Sequence, residues 1–184
     1  QLISGETAQG RPESESQYTV IDISTEEELL QLAKDCQLDS WSRDKYVTLA
    51  CDIDLKEARD VMIPSFGGIF DGGGHTVSGL TLTAAGYAVG LFRYIQDGAV
   101  VRNLSVAGTV APAGSKSQVG ILAGSNYGMI LDCSVSGSVT GTTEVGGIAG
   151  VNEAEGEIRR CRSAAAVTGD HYTGGICGSN KGTL

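Results

Sequence analysis

The chain has 184 residues, enough for one sizeable core, with 27 glycines, only 5% aromatic residues and a formal net charge of −9. Residues 1–60 hold 14 acids against 6 bases and the remainder 8 against 7, so no basic groove exists and nucleic acid is excluded as a partner. No apolar run reaches about 18 residues, so no membrane span is expected.

Residues 1–17 are polar and rich in Ser, Glu, Gln and Gly, the composition of a flexible linker. Residues 18–62 read as a strand–helix–strand cap. Tyr18–Ile23 alternates as a strand. Ser24-Thr-Glu-Glu27 reads as a capping box, with Ser24 as N-cap and Glu27 reaching back. The helix runs to about Cys36, with Leu29, Leu32, Ala33 and Cys36 on one face and three glutamates in its first turn. Tyr46–Leu55 reads as one strand, which puts Asp52 and Asp54 on one side; two carboxylates are too few for a Ca²⁺ site, so a solvated or capping role is expected. Met62-Ile-Pro64 is a short extended piece.

Residues 63–184 repeat themselves. Val119-Gly-Ile-Leu-Ala-Gly-Ser-Asn126, Val145-Gly-Gly-Ile-Ala-Gly-Val-Asn152 and Thr173-Gly-Gly-Ile-Cys-Gly-Ser-Asn180 follow a looser Val89-Gly-Leu-Phe92, at spacings of 30, 26 and 28 residues. A second half aligns as well: Val101, Ile130 and Ile158; then Leu104, Cys133 and Cys161; then Val106, Val135 and Ser163; then Val110, Val139 and Val167. Offsets of three and five give the two-residue alternation of a strand, and Gly, Ser, Asn and Asp mark turns between short apolar runs. No repeat holds a helix-length window. The pattern predicts an all-β, right-handed parallel β-helix (a solenoid) with one coil per repeat and an N-terminal α-helical cap; the handedness follows the crossover rule. The chain stops in mid-repeat after Asn180, so it reads as a fragment whose open C-terminal coil frays or pairs end to end with another copy.

Three runs carry a family resemblance: Tyr18–Leu30, Leu49-Ala-Cys-Asp-Ile-Asp-Leu55, and Phe66-Gly-Gly-Ile-Phe-Asp-Gly-Gly-Gly-His-Thr-Val-Ser-Gly-Leu80. Together they resemble the opening of bacterial surface β-helix domains, and the Val-Gly-Gly-Ile-Ala-Gly-x-Asn repeats resemble the GLUG motif. Gly73 stands where that pattern commonly has Asn, and Glu153-Ala-Glu155 lengthens one turn by two residues. The resemblance implies an extracellular, cell-surface location. It points to adhesin-like proteins and to the non-catalytic N-terminal region of immunoglobulin-A-specific zinc metallopeptidases.

The residues that carry chemistry elsewhere look structural. Cys133 and Cys161 share a slot with Leu80 and Leu104, so both are expected to be buried thiols that resist modification; a bridge between them across stacked coils is geometrically possible but not needed. Cys177 shares a small slot with Ala123 and Ala149. His75 and His171 form no His-Glu-x-x-His, and Asp71 with His75 reads as a stabilised tight turn. Asn126, Asn152 and Asn180 form a column of turn amides. The acids beyond residue 60 fall singly, apart from Glu153, Glu155 and Glu157 in one turn, which reads as a solvated corner. No catalytic residue, metal site or cofactor is therefore expected. Arg159, Arg160 and Arg162 are the one basic cluster and the candidate ligand contact. The sequence thus predicts a non-enzymatic module that shows an extended face to a host extracellular protein, an immunoglobulin among the candidates, or to a glycan. A stalk or spacer in a larger anchored protein and the substrate-recruiting region of an immunoglobulin-directed metalloprotease are the alternatives.

Overall fold

The computed structural model describes residues 17–56, 58–114 and 117–184. The linker expected at 1–17 lies outside the described residues, Gln17 apart. The chain opens with β1 (Thr19–Ile23), α1 (Glu26–Asp35) and a 3₁₀ helix at Trp41–Asp44. There follow β2 (Lys45–Leu49), β3 (Ile53–Asp54), β4 (Ile69–Asp71), β5 (Thr76–Leu82) and β6 (Phe92–Ile95). Three four-strand coils complete it. The first is β7 (Val100–Arg102), β8 (Ser105–Val110), β9 (Ser117–Val119) and β10 (Ala123–Asn126). The second is β11 (Met129–Leu131), β12 (Ser134–Thr140), β13 (Thr143–Gly146) and β14 (Ala149–Asn152). The third is β15 (Glu157–Arg159), β16 (Arg162–Thr168), β17 (His171–Gly174) and β18 (Cys177–Asn180).

Among the described residues every ladder is parallel, and the strands form four sheets. A six-stranded sheet runs β1-β2-β4-β7-β11-β15 and a five-stranded one β3-β5-β8-β12-β16; a four-stranded one runs β6-β10-β14-β18 and a three-stranded one β9-β13-β17. The fold is a parallel β-solenoid. Identical slots stack because side chains alternate in and out at period two, and the register holds from coil to coil apart from one shift between Val77 and Leu80 where β5 meets β8. Val47, Phe70, Val101, Ile130 and Ile158 stack inside the six-stranded sheet. Val77, Val106 and Val135 stack inside the five-stranded one. All eight are buried. Phe66, Phe70 and Phe92 meet edge to face, with centroids 5.3 to 6.0 Å apart, and fill the interior of the earlier coils.

The glycines of the repeat motif close the narrow end of each coil. A Cβ on Gly120 would lie 2.7 Å from Ala149 Cα, and one on Gly124 2.6 Å from the Ala88 carbonyl carbon. The three- and four-stranded sheets can approach this closely only without side chains at those positions.

Two expectations change. The helix N-cap is Thr25, not Ser24, and the reciprocal carboxylate is Glu28, not Glu27. Glu28 accepts from the backbone N–H groups of Ser24 and Thr25 and from both hydroxyls, which a carboxylate one residue earlier does not do. The strand read at Tyr46–Leu55 is two strands, β2 and β3, because the coil turns a corner at Ala50–Asp52. β1 and β2 belong to the same sheet as β4 and β7. Leu29, Leu32 and Cys36 of the helix face are buried in the common core, and Ala33 packs against it.

Candidate functional site

The outer face of the five-stranded sheet carries the site. In-register pairing lines up Thr76, Ser105, Ser134 and Arg162 on β5, β8, β12 and β16, one residue per coil. Ala107, Ser136 and Ala164 form the next outward column. Small side chains on both columns leave a groove of about 360 Å³ that runs across the coils. The Ser105 and Ser134 hydroxyls lie 2.7 Å apart and share one hydrogen bond. Arg162, exposed, lines the groove on the last of these strands. Such a row offers hydroxyl donors and acceptors at a spacing of about 4.8 Å, with a cation at one end.

The three arginines do not form one patch. Arg159 ends β15 in the six-stranded sheet and pairs with Glu157. Arg160 sits at the corner with φ 51° and binds Asp132 through two bonds, Nε to Oδ1 at 2.7 Å and Nη2 to Oδ2 at 3.2 Å. That pair holds the Asp132 carboxyl below the usual carboxylate range. Only Arg162 faces the groove.

The other predicted residues hold structure. Asn126 Nδ2 donates to Asn152 Oδ1 at 2.9 Å, and Asn152 Nδ2 to Asn180 Oδ1 at 2.9 Å. Asn126 and Asn152 are fully buried, and Asn126 also closes its own turn through Gly128. Asp71 Oδ1 accepts the Gly73 N–H at 2.9 Å, which is the expected turn, but the His75 ring turns away, its Nδ1 lying 3.4 Å from Asp52 Oδ1. Asp52 also accepts from the Thr76 N–H, and Asp54 from the Lys56 N–H, so both carboxylates cap backbone. Glu153 of the acidic turn accepts from the Ser125 hydroxyl at 3.1 Å and lies 3.6 Å from Lys181, so it is a tethered corner rather than a solvated one. Cys133 is buried at 3% exposure, whereas Cys161 is half-buried. Among the described residues no group of three or more His, Cys, Asp and Glu is placed to hold a metal ion, and no helix is long and apolar enough to cross a membrane.

Sequence reasoning missed two polar assemblies. Arg102, 8% exposed, donates to Asp71 Oδ2 at 3.1 Å and to the Tyr46 hydroxyl at 2.9 Å, which ties β2, β4 and β7 together. Burial works against the Arg102 charge, but those two partners outweigh it and raise its pKa. The second is a cleft of about 400 Å³ lined by Asp39, Arg43, Ser65, Gln96, Asp97 and Tyr127. Its centre is the Gln96 amide, which donates to Asp39 O and Ser65 Oγ, both at 2.8 Å, and accepts from Arg43 Nε at 2.9 Å. The in-register position of Asp71 and Arg102, on opposite-charge residues of successive coils, is the signal that could have revealed the first.

No family model matches the chain, and no solved structure matches it. Among curated proteins it is similar to Halomucin of Haloquadratum walsbyi, 34% identical over 90 residues, or 48% of this chain. The matched segment is 1% of Halomucin, so the chain spans a very small part of the relative it matches.

Proposed function

We propose that this chain is a non-enzymatic extracellular module, a right-handed β-helix of the GLUG type with α1 as its N-terminal cap. Its groove on the five-stranded sheet engages a glycan or an extended segment of a host extracellular protein. The supporting observation is the hydroxyl row of Thr76, Ser105 and Ser134 leading to Arg162, on a face whose spacing is set by the backbone ladder. The cation favours a ligand bearing a sulfate or carboxylate, while the hydroxyls suit a polyol. The partial likeness to Halomucin, a mucin by name, is compatible with an extracellular setting. The parallel ladders that join successive coils also suit a spacer, since a stiff stack spans a fixed distance.

The 184-residue chain is to be tested against arrayed sulfated, sialylated and neutral glycans, and against matrix proteins and immunoglobulin A. The binding reading expects an acidic glycan or one of these proteins to be retained, with Arg162→Ala weakening it roughly tenfold or more, as for a lost charge-assisted contact of about 1.5 to 3 kcal/mol. Retention unaffected by Arg162→Ala would place the contact elsewhere. No retention at all would leave the spacer reading.

A further inference from the structure

The corner between the six- and five-stranded sheets stacks two thiols. Leu131 lies opposite Arg159 and Ser134 opposite Arg162, which sets Cys133 opposite Cys161 in the next coil. The Arg162 N–H donates to the Cys133 carbonyl at 3.0 Å. One residue earlier, Asp132 and Arg160 both adopt left-handed backbone, at φ 53° and 51°, and their two-bond ion pair clamps the two corners together. Each thiol also has a carbonyl in its own turn, Leu131 O at 3.3 Å from Cys133 Sγ and Arg159 O at 3.2 Å from Cys161 Sγ. Stacked parallel strands stand about 4.8 Å apart, inside the Cα separation of roughly 4.4 to 6.8 Å that a disulfide spans. The other cysteines lack such a partner: Cys177 stacks on Ala149, Cys36 ends α1, and Cys51 bonds to the Ser24 carbonyl at 3.2 Å.

We propose that Cys133 and Cys161 form a redox site, closed by small-molecule disulfides into a cross-link between adjacent coils. The two sulfurs have different roles. Cys161 is the less buried of the two, so the small disulfide reaches it first and it is the attacking thiolate. It displaces one thiolate from the small disulfide and becomes a mixed disulfide. Cys133 then gives its proton to that released thiolate and attacks the Cys161 sulfur, expelling the second small thiolate, which takes the proton Cys161 lost. Two S–H bonds become one S–S bond, and two electrons pass to the oxidant, which leaves as two thiols. The product ties two coils covalently where the chain already holds them in register.

The test is peptide mapping of the reduced 184-residue chain after exposure to oxidised glutathione and alkylation of the remaining thiols. The expected product joins the Cys133 and Cys161 peptides within one chain, with Cys36, Cys51 and Cys177 alkylated. In Cys133→Ala, Cys161 is expected to keep glutathione as a stable mixed disulfide. If that variant does not fold, the wild-type map alone decides. Cys133 alkylated while Cys161 carries glutathione, a link between two chains or to another cysteine, or both thiols left free would overturn the proposal. The readout is sulfur connectivity, so it stands or falls separately from ligand binding.

Discussion

Asn152 shows what one side chain contributes. Its buried amide accepts from Asn126, donates to Asn180, and donates to the carbonyls of Gly156 and Thr183. Asn152→Ala removes one acceptor of the buried Asn126 amide, which keeps its bond to the Gly128 carbonyl, while the Gly156 and Thr183 carbonyls keep backbone donors, so a loss of about 1 to 2 kcal/mol is expected, read from the denaturation midpoint. An unchanged midpoint would mean that water replaces the amide at no cost. The column was legible in the sequence because the same residue recurs in three aligned repeats. The Tyr46–Arg102–Asp71 network was not, because its members are three different residues from three successive coils, so no residue recurs to mark it. The thiols divide the same way. Their shared slot was evident, but their unequal burial was not, since a repeat pattern carries no information about which coil lies nearer an open side. The neighbouring Cys133 lowers the Cys161 thiol, whereas burial pushes Cys36 up to about 12 and also raises Cys177. Asp132 works against the Cys161 thiolate, and Arg160 beside it offsets that charge. A lowered thiol pKa makes the reactive form abundant at lower pH, so alkylation at Cys161 is expected to set in at lower pH than at Cys36 and Cys177, which stay slow. Equal labelling of all three would contradict the asymmetry.

At the scale of elements, α1 is the one segment whose formation rests on local signals rather than on stacking. Thr25→Ala removes the N-cap hydroxyl and is expected to destabilise by about 1 kcal/mol, whereas Ser24→Ala should have the smaller effect. A larger effect at Ser24 would restore the box one residue earlier. Backbone donation from Ser24, with both hydroxyls, holds the Glu28 carboxyl below its ordinary value. A carboxylate with a lowered pKa contributes stability above its unfolded value, lost as pH falls through the folded one, so the cap weakens in acid. Sequence could place this helix but not its cap, because Ser24 and Thr25 are both good caps and the glutamates run three in a row. The strands show the opposite balance. Period-two alternation located them, yet it ran through the corner at Ala50–Asp52, where Cys51 is only half-buried and the alternation persists without the strand.

For the whole molecule, the parallel solenoid followed from the repeat spacing alone, since 26 to 30 residues of alternating short strands admit few other stacks. The groove did not follow, because it is made by what is absent: small side chains on two outward columns that no motif marks. The face it occupies is flat and repeated, so binding there would depend on the number of coils engaged rather than on one pocket.

The ladder of coils also sets how the molecule responds to load. Asn126, Asn152 and Asn180 stand opposite one another, so successive coils hold 26 and 28 residues of chain. Pulled from its two ends, such a stack meets force at its outermost strands and opens like a zip, a coil at a time. At about 3.5 Å per extended residue each coil would release about 90 to 100 Å of chain. Stretching single molecules should then give a sawtooth of that period, and a cross-link at one corner would remove a tooth. A single rupture that frees the full length at once would show that the coils yield as one block.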